Sequence, residues 1–158
     1  MTYSKISQWY DLSEDVIVLT GAAGKLGKHY ANAFLEANAK VALFDASQEA
    51  LDEYVSNLEE SHRQNVLSIV CDISNKEEVI DSFDKVKNTF GNCSILINNA
   101  AAVQVTFLEG SLVDFEDFPI EVWKSNLDVN LTGAFLCCQE AGKHMLEREK
   151  GVILNISS

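Results

Sequence analysis

The stretch VIVLTGAAGKLG, residues 16–27, joins a short apolar run directly to three glycines. The run from Val16 to Thr20 predicts a strand that is buried on both faces, as strands of parallel sheets are. Apolar residues then recur at helical spacing from about Lys25 to Asn38. This stretch therefore predicts a strand, a glycine-rich turn and a helix in direct succession.

The glycine spacing indicates what this turn can hold. In such a turn the first glycine permits the tight bend, the second lets the backbone approach a pyrophosphate, and the third lets the helix pack closely on the strand. The helix N-terminus also offers free amides and a partial positive charge to phosphates. We therefore predict a dinucleotide phosphate site formed by Gly21, Ala23, Gly24, Lys25, Leu26 and Gly27.

An acidic residue follows the second predicted strand, which runs from Lys40 to Phe44. Asp45 lies where a carboxylate can bind both ribose hydroxyls of NAD and repel the 2′-phosphate of NADP. Lys25 favours the opposite choice, because a cation in the glycine loop could meet that phosphate. The repulsion between a carboxylate and a phosphate would cost more binding free energy than one exposed lysine could contribute. NAD is therefore the favoured cofactor, and NADP is the alternative.

Strands and helices alternate along the rest of the chain. This pattern predicts an α/β fold, a doubly wound parallel sheet with helices on both faces (Rossmann fold). We assign residues 1–158 to a single domain with an N-terminal extension at 1–14. The further strands are predicted at Val66–Cys71, Ser94–Asn98 and Gly151–Ser157. The further helices are predicted at Ser47–Glu60, from a Ser74–Glu77 capping box to Thr89, and from Pro119 to Glu149 with a bend near Gly133.

Two segments are expected to depart from this regular pattern. Residues 102–118 look like an acidic loop, which could shape a substrate mouth or a subunit contact, or be a plain surface loop. The last predicted strand has no helix after it, which would leave one face of the sheet exposed. We therefore expect the fold to be incomplete at the C-terminus and the sequence to be part of a longer one.

Composition excludes several classes of function. The chain has 158 residues, of which 47% are hydrophobic, and a net charge of -12. Nucleic acid is not an expected partner, because binding its phosphates needs a cationic surface. No apolar run is long enough to span a membrane, and residues 1–15 lack the apolar segment of a secretory signal. A cytoplasmic location is therefore expected.

The four cysteines, Cys71, Cys93, Cys137 and Cys138, show no metal-binding spacing. We expect reduced, mostly buried thiols and no metal site.

From Val16 to Ser158 the sequence resembles the short-chain dehydrogenase/reductase family. The glycine loop carries the resemblance together with CDIS at 71–74, NNAA at 98–101, DVNLTGAF at 128–135 and ILNISS at 153–158. Two details depart from the common pattern. The loop reads TGxxGxxG rather than TGxxxGxG, and Ala101 replaces a usual glycine.

The resemblance implies roles for particular residues. Asp72 and Ile73 would contact the adenine. Asn98 and Asn99 would brace the central sheet, and the backbone around Ala100 and Ala101 would lie against the cofactor ribose. In the catalytic set, Asn130 would stand in a distorted helix and extend a proton relay through a water. Ser158, with Ser157 as the second choice, would hydrogen-bond the substrate and stabilise charge as hydride moves.

The implied activity is that of an NAD(P)-dependent oxidoreductase interconverting a secondary alcohol and a ketone. The substrate would be a small-molecule alcohol or ketone, and helix Leu131–Leu146 would build a homodimer or homotetramer. No tyrosine here has lysine four positions later. We expect that acid/base pair beyond Ser158 and no appreciable turnover without it. The alternatives are a non-catalytic NAD-binding or scaffold protein on the same fold, and an extended sugar-nucleotide-modifying member. DVNLTG and the final ISS speak against the second alternative.

Overall fold

The computed structural model of the protein describes residues 10–102, 107–108 and 111–157. Five strands form one parallel sheet in the spatial order β3-β2-β1-β4-β7. Their bounds are Val16–Thr20 (β1), Lys40–Asp45 (β2), Val66–Val70 (β3), Ile95–Asn98 (β4) and Val152–Asn155 (β7). A separate antiparallel pair joins Phe107–Leu108 (β5) to Ser111–Leu112 (β6).

Helices connect the parallel strands. They are Lys25–Glu36 (α1), Gln48–Ser56 (α2), Glu60–Arg63 (α3), Lys76–Phe90 (α4), Ile120–Leu127 (α5) and Ala134–Arg148 (α6). A π-helical segment, Asp128–Gly133, joins α5 to α6, and Phe115–Asp117 form a single 3₁₀ turn. The predicted α/β architecture is confirmed.

Alternate residues of β1 serve two hydrophobic cores. Val16 and Val18 lie in a core shared with α4 and α6, whereas Ile17 and Leu19 lie in a core shared with α1 and α2. All five residues of β1 are buried. The continuous apolar run thus reflects a central strand that is covered by helices on both faces.

The edge strand β7 contrasts with β1. Val152, Ile153 and Leu154 remain 40–54% exposed, although β7 pairs with β4 along its whole length. The expectation of an uncovered apolar surface on the last strand is met.

The sequence predicts two segments outside the regular strands and helices, an N-terminal extension at 1–14 and a loop at 102–118. Leu12, in the expected N-terminal extension, donates its amide to Ala37 O at 2.8 Å and packs against the α1 core. Residues 1–9 lie outside the described residues. The prediction of an acidic loop over 102–118 is wrong in part, since β5, β6 and the 3₁₀ turn fall within it.

The predicted capping box at Ser74 and Glu77 is wrong by one position. Asn75 is the N-cap of α4, and its side chain accepts hydrogen bonds from the amides of Glu77 and Glu78. The Ser74 hydroxyl instead donates to Asp72 Oδ1 at 2.7 Å. Ser74 is therefore engaged in the turn before α4. Asn75, a residue type that caps helices equally well, is the N-cap instead.

Two predicted helices end earlier than expected. The helix predicted over Ser47–Glu60 stops at Ser56, and Ser47 is its cap. The Arg63 guanidinium binds the carbonyls of Ser56 and Leu58, which satisfies groups that a longer helix would have used. Helix α1 stops before Asn38, which adopts a left-handed conformation with φ 67°.

The long helical region predicted from Pro119 is continuous but not uniform. The bend expected near Gly133 is a π-helical segment that ends at that residue. A Cβ on Gly133 would lie 2.7 Å from Ile73 Cγ1, so the glycine lets this segment pack closely against the residues that follow β3.

A buried histidine at the amino ends of the strands makes stability depend on pH. His144 Nδ1 accepts a hydrogen bond from the amide of Cys93 at 3.1 Å, and its ring meets Phe83 edge-on. Burial, with a smaller effect of the nearby Lys87 charge, lowers the pKa of His144 below its usual 6.5. The unfolded chain takes up this proton first, so the stabilisation is full above pH 6.5 and is lost as pH falls through the lowered pKa.

We expect His144→Asn, which keeps an acceptor for the Cys93 amide, to weaken this dependence. The free energy of unfolding from urea titrations should fall less between about pH 7 and pH 5 in the variant than in the wild type. Equal slopes in the two proteins would contradict this assignment.

Candidate functional site

A cavity of about 670 Å³ opens at the carboxyl ends of the parallel strands. It lies where the strand order reverses, because β2 and β3 extend to one side of β1 while β4 and β7 extend to the other. Ligands of open α/β sheets bind at such a switch point. The predicted site residues that line it are Gly21, Gly24, Lys25, Leu26, Asp45, Asp72, Ile73, Asn99, Ala100 and Ala101.

The glycine loop is fixed by close contact with the NNAA segment. Gly21 has φ 62°, a conformation that side chains disfavour, and a Cβ there would lie 2.7 Å from Ala100 Cα. The amide of Ala22 donates to Phe44 O at the end of β2. Gly21 therefore serves both the turn and the approach of the two loops.

Gly27 and Ala23 belong to the predicted phosphate site, but they are not among the residues that line the cavity. Gly27 is buried in the first turn of α1, and a Cβ there would overlap Gly21 O and lie 2.7 Å from Ala22 O. Ala23 is 7% exposed. The predicted role of Gly27 in close helix packing matches this geometry, with the loop carbonyls as the contact.

The start of α1 suits a phosphate. Gly24 is the N-cap and has no side chain that could bind the first amides of the helix. Those amides carry the partial positive charge of the helix terminus. An N-cap without a Cβ beside these donors fits the pyrophosphate of a dinucleotide.

Asp45 is held in place by two backbone amides. Its Oδ2 accepts from the Ala23 amide at 2.9 Å, and its Oδ1 accepts from the Ser47 amide at 3.1 Å. The carboxylate thus links the glycine loop to the start of α2 and remains at the cavity wall. A carboxylate can accept about four hydrogen bonds, so both oxygens keep capacity for hydroxyl donors.

Asp72 is fixed in a turn that also exposes it to the cavity. Its Oδ1 accepts from the amide and the hydroxyl of Ser74, at 2.9 and 2.7 Å. Ile73, which follows, is 6% exposed and contributes to both the cavity wall and the core.

Thr20, which sequence reasoning did not single out as a site residue, organises the NNAA segment. Its Oγ1 is buried and accepts from the amides of Asn99 and Ala100 at 3.1 and 3.0 Å. The Asn99 side chain returns two hydrogen bonds, to Thr20 O and Gly21 O. The threonine before the first glycine is the available signal, but its partners lie about 80 residues away.

Asn98 braces the sheet, as the resemblance implies. Its Nδ2 donates to Asn155 Oδ1 at 2.8 Å, across from β4 to β7. Asn98 Oδ1 is buried and has no hydrogen-bond partner among the described residues.

Asn130 stands in the π-helical segment, but its side chain does not line the cavity. Asn130 Oδ1 accepts from the Ala102 amide at 2.7 Å, and its Nδ2 donates to Ala102 O at 2.9 Å. The side chain therefore fixes the backbone just after NNAA, while its neighbour Val129 reaches the cavity. Ser157 also lines the cavity, and Ser158 lies outside the described residues.

Lys25 is the cation among the described lining residues, which also include two acids, Asp45 and Asp72. Within 10–102, 107–108 and 111–157, no group of three or more His, Cys, Asp or Glu side chains could hold a metal ion. No helix in this part of the chain has the length and apolar character needed to cross a bilayer. All four cysteines are free thiols, and burial raises the pKa of Cys93 to about 12.

Comparison with known proteins agrees with this geometry. The family described as short chain dehydrogenase matches residues 15–158. D-threitol dehydrogenase of Mycolicibacterium smegmatis is 32% identical over 152 residues, which are 94% of this chain and 54% of that protein. NAD-dependent glycerol dehydrogenase of Listeria innocua is 30% identical over 158 residues, 100% of this chain and 58% of that protein.

A solved structure gives the same picture. NAD+-bound xylitol dehydrogenase superimposes with a TM-score of 0.78 at 30% identity, covering 93% of this chain and 54% of that one. The chain therefore spans little more than half the length of these relatives. Since the family match extends over nearly the whole sequence, the chain belongs to the short-chain dehydrogenase/reductase family.

Proposed function

We propose that the protein is an NAD-dependent oxidoreductase that interconverts a secondary alcohol and a ketone by hydride transfer. The proposal rests on the observation that the glycine loop, Asp45 and the NNAA segment line the same cavity. The names of the relatives, which include an NAD-dependent glycerol dehydrogenase, support it. The substrate would be a small-molecule alcohol or ketone.

Different residues of the cavity would contact different parts of the cofactor. The glycine loop and the first turn of α1 would hold the pyrophosphate, Asp45 the adenosine ribose, and Asp72 with Ile73 the adenine. The backbone of Asn99, Ala100 and Ala101 would lie against the second ribose. NAD, when bound, supplies the carbon that accepts or gives the hydride, and the protein supplies orientation.

Asn130 and Ser158 belong to the proposed catalytic set in different ways. The Asn130 side chain is committed to Ala102, so we infer that Asn130 is a positioning residue whose main chain alone is available for a proton relay. Ser158 would hydrogen-bond the substrate oxygen and stabilise the charge that develops on it.

The preference for NAD over NADP is assigned to Asp45. A 2′-phosphate placed beside this carboxylate would meet a like charge, whereas two ribose hydroxyls would each find an acceptor. Asp45→Asn removes the charge but keeps only one of the two oxygens that accept from the Ala23 and Ser47 amides. We therefore expect it to shift the ratio of the NADPH and NADH affinities about tenfold toward NADPH, because the repulsion of the 2′-phosphate is removed. Titrations followed by nicotinamide fluorescence and by thermal stability measure both affinities.

The control is Glu49→Gln, which removes one negative charge from the exposed first turn of α2. It should leave the ratio of the two affinities unchanged. A wild-type preference for NADPH would overturn the choice of cofactor and point to Lys25. Folded protein that binds neither nucleotide would contradict the whole proposal.

We further propose that the full protein is a homodimer or homotetramer. Trp123, Leu127, Leu131 and Phe135 are spaced by four along α5, the π-helical segment and α6, and each is 38–66% exposed. Such a stripe of large apolar side chains is typical of a subunit interface. Light scattering of the purified protein measures the mass, and a monomer would contradict this assignment.

A further inference from the structure

The turn that presents Asp72 to the cavity is held by a residue outside the cavity wall. Glu78, in the first turn of α4, accepts a hydrogen bond from the Asp72 amide on Oε2 at 2.9 Å. Its Oε1 accepts from Asn75 Nδ2, also at 2.9 Å. One carboxylate thus binds two residues, Asp72 and Asn75, of the segment between β3 and α4.

This contact differs from an ordinary helix cap. In a capping box, the third helical residue binds the backbone amide of the N-cap itself. Glu78 occupies that third position after the N-cap Asn75, but it reaches three residues further back along the chain. Its contact therefore fixes Asp72 in addition to the start of the helix.

A glutamate at position 78 adds an electrostatic repulsion that its hydrogen bonds must offset. Glu78 places a second negative charge against the backbone of an acidic residue, Asp72, and like charges repel. A hydrogen bond to an ionised acceptor is about twice as strong as one between neutral groups. A rigid position for Asp72 is what this arrangement provides.

The Asp72 carboxylate is also oriented by its own turn. Both hydrogen bonds from Ser74 reach Oδ1, which leaves Oδ2 as the oxygen on which a donor in the cavity can bind. With its amide tied to Glu78 and its Oδ1 tied to Ser74, Asp72 can present this acceptor in one place only.

We propose that Glu78 is the positioning residue for adenine recognition: it holds Asp72 so that Oδ2 accepts the adenine amino group. This inference rests on the proposed function, since it requires that the cavity bind a dinucleotide. Glu78 touches no part of the cofactor and acts through Asp72 alone.

The test compares NADH with its reduced hypoxanthine analogue, in which a carbonyl oxygen replaces the adenine amino group. Wild-type protein should bind NADH about tenfold more tightly, the size expected for one hydrogen bond to a charged acceptor. Glu78→Ala should bring this ratio close to one. Glu78→Gln should largely restore it, because the amide oxygen still accepts from the Asp72 amide. Glu77→Ala, on the exposed neighbouring acid, should leave the ratio at its wild-type value.

Each outcome separates this inference from the proposed function. A Glu78→Ala variant that keeps the tenfold ratio overturns the inference alone. Equal losses of affinity for both nucleotides also overturn it, because a general loosening of α4 does not distinguish the two bases. Wild-type protein that binds neither nucleotide overturns the proposed function instead.

Discussion

Replacement of Gly27 by alanine is expected to lower the free energy of unfolding by about 2–3 kcal/mol and to weaken NADH binding by more than about tenfold. The new methyl group would overlap Gly21 O and lie 2.7 and 2.8 Å from Ala22 O and Ala22 Cα. All these atoms belong to the backbone of the glycine loop, so no side chain can rotate away. The loop itself must move, and with it the proposed pyrophosphate cradle.

A matched control exists in α6. Gly142 is also a helical glycine, but a Cβ there would meet nothing within 4 Å. Gly142→Ala should raise stability by up to about 1 kcal/mol through helix propensity and leave NADH affinity unchanged. Urea unfolding and NADH fluorescence titrations measure both quantities. Wild-type NADH affinity in Gly27→Ala would show that the loop tolerates displacement and would contradict the assigned role of Gly27.

The second large effect is expected at Thr20. Valine has nearly the shape of threonine, but it cannot accept the hydrogen bonds from the Asn99 and Ala100 amides. A fully buried amide left without an acceptor costs about 1–3 kcal/mol, and the Asn99 and Ala100 amides are partly buried. Thr20→Val should therefore lose about 2–4 kcal/mol of stability, which for a chain of this size lowers Tm by roughly 4–16 °C.

Thr20→Ser separates the hydroxyl from the methyl group. Serine keeps the acceptor for both amides and should stay within about 1.5 kcal/mol of the wild type. NADH affinity should fall in Thr20→Val and persist in Thr20→Ser, because the amides position the NNAA segment against Gly21. Differential scanning calorimetry and NADH titration test this. A valine variant as stable as the serine variant would mean that the hydroxyl does not organise this segment.

The parts of the site that the sequence predicted best are those encoded locally. The glycine loop needs only one strand, three glycines and one helix in sequence, and the cavity is built around that loop. Asp45 could be found because the second parallel strand ends at it. Asp72 was found through the resemblance, and the structure adds that its Oδ1 is occupied by Ser74.

The errors fall where several polar residues compete for the same backbone groups. Ser74 and Asn75 are both good caps, and their order along the chain does not reveal which one binds the α4 amides. The end of α2 depends on Arg63, which lies seven residues beyond Ser56 and folds back onto its carbonyl. Residue propensities alone cannot decide between such alternatives, because each local hydrogen bond contributes only about 1 kcal/mol to stability.

The sequence by itself determined the fold class, the position of the glycine loop and the acidic residue beside it, because hydrophobic period and glycine spacing are properties of contiguous residues. Only the tertiary structure decided how those pieces are fixed. Thr20 accepts hydrogen bonds from a segment about 80 residues away, and the Asn130 side chain is hydrogen-bonded to the backbone of Ala102, 28 residues away. Glu78 reaches back over its own helix cap to Asp72. These contacts depend on where the packed sheet brings distant side chains together, and the order of residues along the chain does not specify those distances.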